Sequence, residues 1–327
     1  MIEGSATQAG GRSSARVLHV VAPVVVLAAV LWTFRDVAWG RLSSQLHAVR
    51  PGWIGLAVAV NLGVVCLQAA RWLALVRPLA PAATYEQAFK SMVIGFALSM
   101  VLPARAGELA RARTLGRHTG LPSAAVFGTI VLDYLVNAAG LLLGLAILPF
   151  VVPVPAWLRP GVLVALALFV AGVALVLIVL RPGSGRADSS QAPPTHWATK
   201  LLASARQGLG ATTRPRALGL SLAAALAAWW VEINVAALGM KAVGLDLPFS
   251  AAFLVLVGVN LALAVPFGPP GNIGTLEMGA TLALLGLGVA KEQALAFGIV
   301  YHLLQVVPVG IMGALFAGDI VDEPVGP

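Results

Sequence analysis

The chain has 327 residues, of which 59% are hydrophobic and only 10% are charged. A water-soluble domain of this length carries far more charge, so the composition excludes an ordinary soluble protein and predicts an integral membrane protein. The formal net charge of +8 does not indicate nucleic-acid binding, because an excess of Lys and Arg in a membrane protein reflects the positive-inside bias. We therefore expect the lipid bilayer, and no nucleic acid, around this chain.

Six uninterrupted apolar runs are each long enough to cross a hydrocarbon core of ~30 Å at ~1.5 Å per residue. The residues before the first run are polar, and no small-residue cleavage site follows that run, so we predict a retained helix rather than a signal peptide. The predicted spans are residues 17–34, 53–76, 123–148, 161–180, 217–240 and 293–317.

Two segments rich in glycine and proline interrupt long apolar stretches. The first break runs from Met100 to Glu108, and the second runs from Val265 to Glu277. Broken backbone at membrane depth survives only where protein or a polar cavity satisfies its amide and carbonyl groups. Paired breaks in the two halves of a membrane protein therefore point to a transport site. The apolar pieces beside them, predicted to be half-helices that meet at a break, are residues 88–102, 250–265 and 276–290.

The distribution of Lys and Arg favours one topology. If each broken segment is a re-entrant hairpin, both termini are cytoplasmic, fifteen basic residues lie on the cytoplasmic side and six lie outside. This is the asymmetry that the positive-inside rule requires. If the first break crossed the membrane instead, its four arginines and the six basic residues of 181–216 would move outside.

The re-entrant arrangement makes the second half an inverted copy of the first. Glu108 and Glu277 are 169 residues apart, as are Asp133 and His302. We therefore predict an all-α polytopic membrane protein with six full transmembrane helices, two re-entrant broken-helix hairpins and an inverted repeat. The predicted parts are a cytoplasmic tail (1–16), one transmembrane domain (17–318) with halves 17–180 and 217–318 joined by a cytoplasmic linker (181–216), and an acidic tail (319–327).

The first break combines basic and acidic side chains. A helix that begins near Gly107 points its free amide groups and its positive dipole end toward the break. Together with Arg105 and Arg111, this end is a candidate anion site suited to a lipid phosphate. Arg105 and Glu108 are therefore predicted to bind substrate, and a plain ion pair at i, i+3 spacing is the open alternative.

The second break has no basic residue. Gly271 and Gly274 allow a ligand to approach the backbone closely. Glu277 opens an apolar run, where a carboxylate faces a partner or a cavity or else serves as an ordinary helix N-terminal acid. Tyr301 and His302 place polar groups on the last span, and His302 adds an ionisable group at depth.

A polar stripe runs along one face of the predicted span 123–148. Thr129, Asp133 and Asn137 are spaced at i, i+4 and i+8, which places them on one helix face. Thr129 and Asn137 are explained by interhelical hydrogen bonding alone. Asp133 and Glu232 are ionisable groups at depth, and we interpret them as part of a polar cavity or a proton relay.

These residues lie in two blocks that resemble the flippase-like family of the lysylphosphatidylglycerol synthase transmembrane region, which includes the membrane part of the bacterial multiple-peptide-resistance protein. The first block contains Leu102-Pro-Ala-Arg-Ala-Gly-Glu-Leu-Ala-Arg111, and the second contains Pro269-Pro-Gly-Asn-Ile-Gly-Thr-Leu-Glu277 and Tyr301-His302. Arg71-Trp72 also fits the family pattern, although its place near the end of a span predicts a membrane-interface anchor. The resemblance covers roughly residues 50–316.

The chain departs from the family pattern at three positions. The family commonly has an arginine at the position of Tyr134, an acidic residue at that of Asn137 and an arginine at that of His302. We therefore expect a reduced carboxylate–arginine network. No soluble aminoacyl-transferring domain follows in this sequence, so we expect no synthesis of lysyl-lipid.

The resemblance implies movement of a polar-headed lipid between the leaflets of the bacterial cytoplasmic membrane. The hypothesis is that a headgroup carrying a phosphate enters near Arg105 and Glu108. It then passes a central pocket formed with Asp133, Glu277 and His302 while its acyl chains stay in the bilayer.

The sequence contains no metal-binding, nucleotide-binding or nucleophile motif, so we expect no enzyme, no catalytic residue, no metal and no cofactor. A membrane lipid is the expected substrate, and a homo-oligomer or an envelope-synthesis partner stays open. The alternatives are a secondary transporter of a small solute, a membrane scaffold subunit of an envelope-lipid or glycan synthesis system, and a membrane transferase that uses a lipid-linked donor.

Overall fold

The structure is a computed structural model, and its described residues form α-helices and no strand. It describes residues 31, 34–102, 106–147, 150, 158–180, 203–204, 206–210, 214–263, 269–316 and 318. The helices are α1 (Trp39–His47), α2 (Pro51–Val76), α3 (Tyr85–Val101), α4 (Gly107–Thr119), α5 (Ser123–Ile147), α6 (Leu158–Leu180), α7 (Pro215–Ala242), α8 (Phe249–Leu263), α9 (Thr275–Leu285) and α10 (Lys291–Leu315).

Among the described residues, four helices are long and apolar enough to cross a membrane: α2, α5, α7 and α10. They have 26, 25, 28 and 25 residues and correspond to four of the six predicted spans. The predicted span 161–180 lies within α6, whose apolar part, Leu166–Ile178, is shorter. The predicted span 17–34 falls almost wholly outside the described residues, as do the two tails and most of the linker.

Each break separates two short helices that pack against each other. The first lies between α3 and α4, and the second lies between α8 and α9 and contains a 3-10 turn, Pro270–Asn272. A Cβ atom on Gly107 would overlap the carbonyl oxygen of Gly95 and the side chain of Ser99. One on Gly279 would lie 2.9 Å from the carbonyl oxygen of Gly258. Glycine therefore lets both helix pairs approach to backbone contact.

The two halves of the chain are packed into one body. α2 and α7 have the most extensive contact of any two helices. The largest apolar cluster joins Val64 of α2 to Ala236 of α7, Leu254 of α8, Ala280 of α9 and Phe297 of α10. The two breaks, which are far apart in sequence, are brought together beside this cluster.

Candidate functional site

A cavity of about 360 Å³ lies where the two breaks meet. Leu102 and Glu108 line it from the first break, and Pro269 to Asn272 line it from the second. A Cβ atom on Gly271 would lie 3.4 Å from the carbonyl oxygen of Met100, so the two breaks are in direct contact. The ionisable side chains of its lining are Glu108, Tyr134, Glu232, Tyr301 and His302.

Behind the first break, two arginines share one buried carboxylate. Arg71 donates from Nε to Asp133 Oδ1 over 2.7 Å and from a terminal nitrogen to Oδ2 over 3.2 Å. Arg111 donates to Asp133 Oδ2 over 3.1 Å, and Arg71 also donates to Asn137 over 2.6 Å. The bidentate geometry is the strongest arrangement available to an arginine–carboxylate pair.

Trp72 fixes the position of Arg111. The Arg111 guanidinium carbon lies 3.8 Å from the centre of the fully buried Trp72 ring, a geometry in which the ring quadrupole attracts the cation. Trp72 Nε1 donates to Thr129 over 3.0 Å, which locks the ring in place. The predicted polar stripe on α5 is thus confirmed, because Thr129, Asp133 and Asn137 all bond to the Arg71–Trp72 pair.

Glu108 connects this network to the cavity. Its carboxylate accepts a hydrogen bond of 2.6 Å from the Tyr134 hydroxyl and a longer one, 3.4 Å, from Arg111. Glu108 lies in the first turn of α4, where the helix dipole stabilises negative charge. The network therefore contains two arginines and two carboxylates, and its formal charge is zero.

Behind the second break, Glu277 and His302 form a direct pair. His302 Nδ1 lies 2.7 Å from Glu277 Oε1, and His302 Nε2 lies 2.9 Å from the carbonyl oxygen of Gly271. The other Glu277 oxygen accepts from the amide of Gly274 over 2.8 Å. Gly271 and Gly274 both have positive φ, at 64° and 82°, which glycine adopts without strain.

The hydrogen-bond pattern of His302 requires an extra proton. A carbonyl oxygen and a carboxylate are both acceptors, so both ring contacts are hydrogen bonds only if two hydrogens are present. The imidazole is then doubly protonated, or Glu277 carries the second hydrogen. In either state the pair holds one more proton than a neutral imidazole beside a carboxylate.

Glu232 is a further acidic group of the site. It accepts from the Tyr301 hydroxyl over 2.6 Å and from the Gln305 side chain, and it lines the cavity. In the part of the chain that the structure describes, no Lys, Arg or His is paired with it. Asn61, which is 1% exposed, also lines the cavity, and its side-chain oxygen has no described partner.

The family described as the lysylphosphatidylglycerol synthase TM region matches residues 19–313 of this chain. The chain belongs to this family. Its members are related to lipid handling, and membership together with the four long apolar helices makes this an integral membrane protein. The comparison with curated proteins found no match.

The three departures from the family pattern all lie in these two polar clusters. Tyr134 donates to Glu108, and Asn137 accepts from Arg71, so both departures from the family pattern take part in the network. The network has four charged groups, although neither Tyr134 nor Asn137 is charged. His302, the third departure, keeps a carboxylate partner in Glu277.

The interpretation of Arg71-Trp72 as a membrane-interface anchor is wrong. Arg71 is 5% exposed and Trp72 is fully buried, because both side chains turn inward to the polar stripe of α5. The sequence signal that predicts this role is Asp133, which lies deep in a predicted span. A carboxylate at that depth needs a cation, and Arg71 is a cation on a neighbouring span.

The predicted site residues divide into several groups. Arg105 lies outside the described residues, and Gly107 is a helix-packing contact. The central pocket was expected to contain Asp133, Glu277 and His302, and of these three only His302 lines the cavity. Asp133 and Glu277 lie behind the lining. Glu277 bonds directly to His302, whereas Asp133 is linked to Glu108 and Asn137 through Arg111 and Arg71. Tyr301 faces the cavity with Glu232, which makes Glu232 part of the same polar lining.

The described residues contain no group of three or more His, Cys, Asp or Glu placed to hold a metal ion. The arrangement that is present offers carboxylates, hydroxyls and amides to a polar ligand. Its arginines are engaged by Asp133 and Glu108, and neither Arg71 nor Arg111 belongs to the cavity lining.

Proposed function

We propose that this protein moves a polar-headed lipid between the leaflets of the bacterial cytoplasmic membrane. The observation that carries the proposal is the polar cavity between the two breaks, which holds ionisable side chains among long apolar helices. A broken helix at the centre of a membrane protein supplies polar groups to a substrate that lipid cannot solvate. The headgroup occupies the cavity while the acyl chains stay in the bilayer.

The proposal includes the topology expected from the sequence. Six full spans, two re-entrant hairpins, an inverted repeat and cytoplasmic termini form the frame, with α3–α4 and α8–α9 as the hairpins. The packing of α3 on α4 and of α8 on α9 supports it, as does the contact of the two breaks at one cavity. In such a frame the two halves rock about a central site and expose it to each leaflet in turn. The role is transport, without a catalytic step.

The lining favours a headgroup that brings a hydrogen-bond donor or an ammonium group. Glu232 faces the cavity without a described cation, and Asn61 offers an unused oxygen. A buried carboxylate is stabilised by a positive or donating partner, which the substrate supplies. The phosphate of the headgroup is assigned to the side of the first break, where Arg105 lies in the sequence.

The test is lipid transfer in proteoliposomes with acyl-labelled fluorescent phosphatidylethanolamine and phosphatidylglycerol, read by chemical quenching of the outer leaflet. A hydrogen bond to a charged group contributes about 1.5–3 kcal/mol, so we expect Glu232→Gln to slow transfer about tenfold or more. Glu86→Gln is the matched control, because Glu86 is an exposed acid of α3 paired with Lys90. Unchanged transfer in Glu232→Gln removes the cavity from the route, and no transfer by the parent protein rejects transport of these lipids.

A further inference from the structure

A second cavity, of about 810 Å³, lies between the end of α2 and the beginning of α7. It shares no lining residue with the cavity between the breaks. None of the described residues that line it is acidic. We call it the α2–α7 groove, and its lining is Ala70, Leu73, Ala74, Arg77, Pro78, Pro81, Tyr85, Arg214, Arg216, Ala217, Leu220 and Ala224.

Three arginines form the polar end of this groove. Arg77 follows the last residue of α2, Arg214 precedes the first residue of α7, and Arg216 lies in the first turn of α7. All three are exposed, and no ion pair joins any of them to a described carboxylate. Three guanidinium groups around one opening bind an anion that presents several acceptor oxygens, as a phosphate does.

The rest of the groove is apolar apart from the Tyr85 hydroxyl, which donates to the carbonyl oxygen of Cys66. Ala74 and Leu73 on α2 face Leu220 and Ala224 on α7 across it. The alanines leave room between the two helices, and Leu220 is 57% exposed. A soluble anion gains nothing from such a floor, whereas burial of an acyl chain stabilises binding in proportion to the apolar area covered. The charge and the floor together match an amphiphile with adjacent anionic and apolar parts.

We propose that the α2–α7 groove binds one anionic phospholipid, with its phosphate on the three arginines and one acyl chain along the apolar floor. On the predicted topology this end of the helices is cytoplasmic, where anionic lipids attract basic segments. Because α2 and α7 belong to different halves of the chain, the bound lipid ties the halves together at this end. The site is separate from the transport cavity and does not depend on the transport proposal.

The experiment is native mass spectrometry of the full chain, released from detergent micelles that contain equal amounts of phosphatidylglycerol and phosphatidylcholine. We expect the parent protein to retain one phosphatidylglycerol in preference to phosphatidylcholine. We expect the double variant R214Q/R216Q to bind that lipid about thirtyfold more weakly, since each surface arginine contributes about 1 kcal/mol to anionic-lipid binding. The matched control is R113Q/R117Q, which removes two exposed arginines of α4 outside the groove and keeps the adduct.

A third variant separates the acyl-chain contact from the charge. Ala224→Phe fills the floor and leaves the arginines in place, so we expect it to lose the adduct as well. If that variant does not fold, Leu220→Asn places a polar group on the same floor. Equal retention of the two lipids by the parent protein, or equal loss in the two double variants, overturns the site. Retention of phosphatidylglycerol in both floor variants overturns the acyl-chain contact.

Discussion

The two halves of the molecule hold an acidic residue beside a break in different ways. In the first half, Arg111 lies between Glu108 and Asp133, and Arg71 completes the compensation of Asp133. In the second half, Glu277 is bonded directly to His302, which also reaches the carbonyl oxygen of Gly271 in the break itself. Residues that are 169 positions apart in the sequence therefore stabilise an acidic group in two chemically different ways.

The difference lies in which cation each half uses. A guanidinium is charged at every physiological pH, so both cations of the first network stay charged. An imidazole is the side chain that ordinarily changes charge between about pH 5 and 8. The second break is thus held by a contact that depends on a proton. The contact at the first break is therefore fixed, and the contact at the second break is adjustable.

The largest effect is expected at the carboxylate that the two arginines share. Asp133→Asn keeps the shape of the side chain and leaves two nearly buried guanidinium groups without their main counter-charge. Removing one partner of a buried ion pair costs about 3–5 kcal/mol, measured as the free energy of unfolding in detergent. The control Glu86→Gln breaks an exposed pair and costs at most about 1 kcal/mol. Equal losses in the two variants would show that the first network is not a scaffold.

The helix pairs provide the next comparison. Gly107→Ala places a methyl group in overlap with the backbone of α3, and Gly279→Ala places one 2.9 Å from the backbone of α8, which is also too close. Overpacking of this kind costs about 1–3 kcal/mol, and we expect the larger loss at Gly107 because its overlap with the neighbouring backbone is deeper. Thermal unfolding of both variants measures it. A larger loss at Gly279 would show that the α8–α9 contact tolerates an added methyl group less well than the α3–α4 contact.

The adjustable contact of the second break is tested locally. His302→Phe keeps a ring and removes both hydrogen bonds of the imidazole, one to the Glu277 carboxyl group and one to the carbonyl oxygen of Gly271. We expect amide hydrogen exchange in residues 271–274 to accelerate about tenfold or more, since such bonds contribute about 1.5–3 kcal/mol. His118→Phe is the control, because His118 bonds within α4 to the carbonyl of Thr114. Unchanged exchange in His302→Phe would show that the His302 contact does not hold the second break.

The smallest effects on stability are expected at two tyrosines that donate hydrogen bonds to cavity-lining acids. Tyr134→Phe removes a 2.6 Å hydrogen bond to Glu108, which keeps Arg111. Tyr301→Phe removes a 2.6 Å hydrogen bond to Glu232, which has no described cation. We expect a loss of about 1 kcal/mol for the first and a larger loss for the second, read from unfolding midpoints. The opposite order would contradict the inference that Glu232 depends on Tyr301 because no cation is paired with it.

Helix periodicity and residue type predicted much of this site. The spacing of Thr129, Asp133 and Asn137 identified one polar face of α5, since residues four apart share a helix face. The equal spacing of Glu108 to Asp133 and of Glu277 to His302 marked both polar clusters. The glycine and proline segments marked the two breaks, because those residues end regular helices.

The pairing between helices could not be obtained in this way. Periodicity states which face of a helix is polar, but not which neighbouring helix that face meets or at what depth. Arg71 and Trp72 therefore resembled an interface anchor until their contact with Asp133 and Thr129 was known. Glu232 likewise showed no sequence link to Tyr301, 69 residues away.

The sequence by itself determined that the chain is an α-helical membrane protein, where its long apolar helices lie, where two of them are broken, and which polar residues accompany each break. These features follow from local chemistry, namely apolar length, backbone restriction and helical spacing. Only the tertiary structure decided that the two breaks touch at one cavity, that Arg111 serves two carboxylates, and that Glu232 faces the cavity without a described cation. Those facts depend on the packing of helices from both halves, because side chains distant in sequence become partners only when that packing sets their depth and direction.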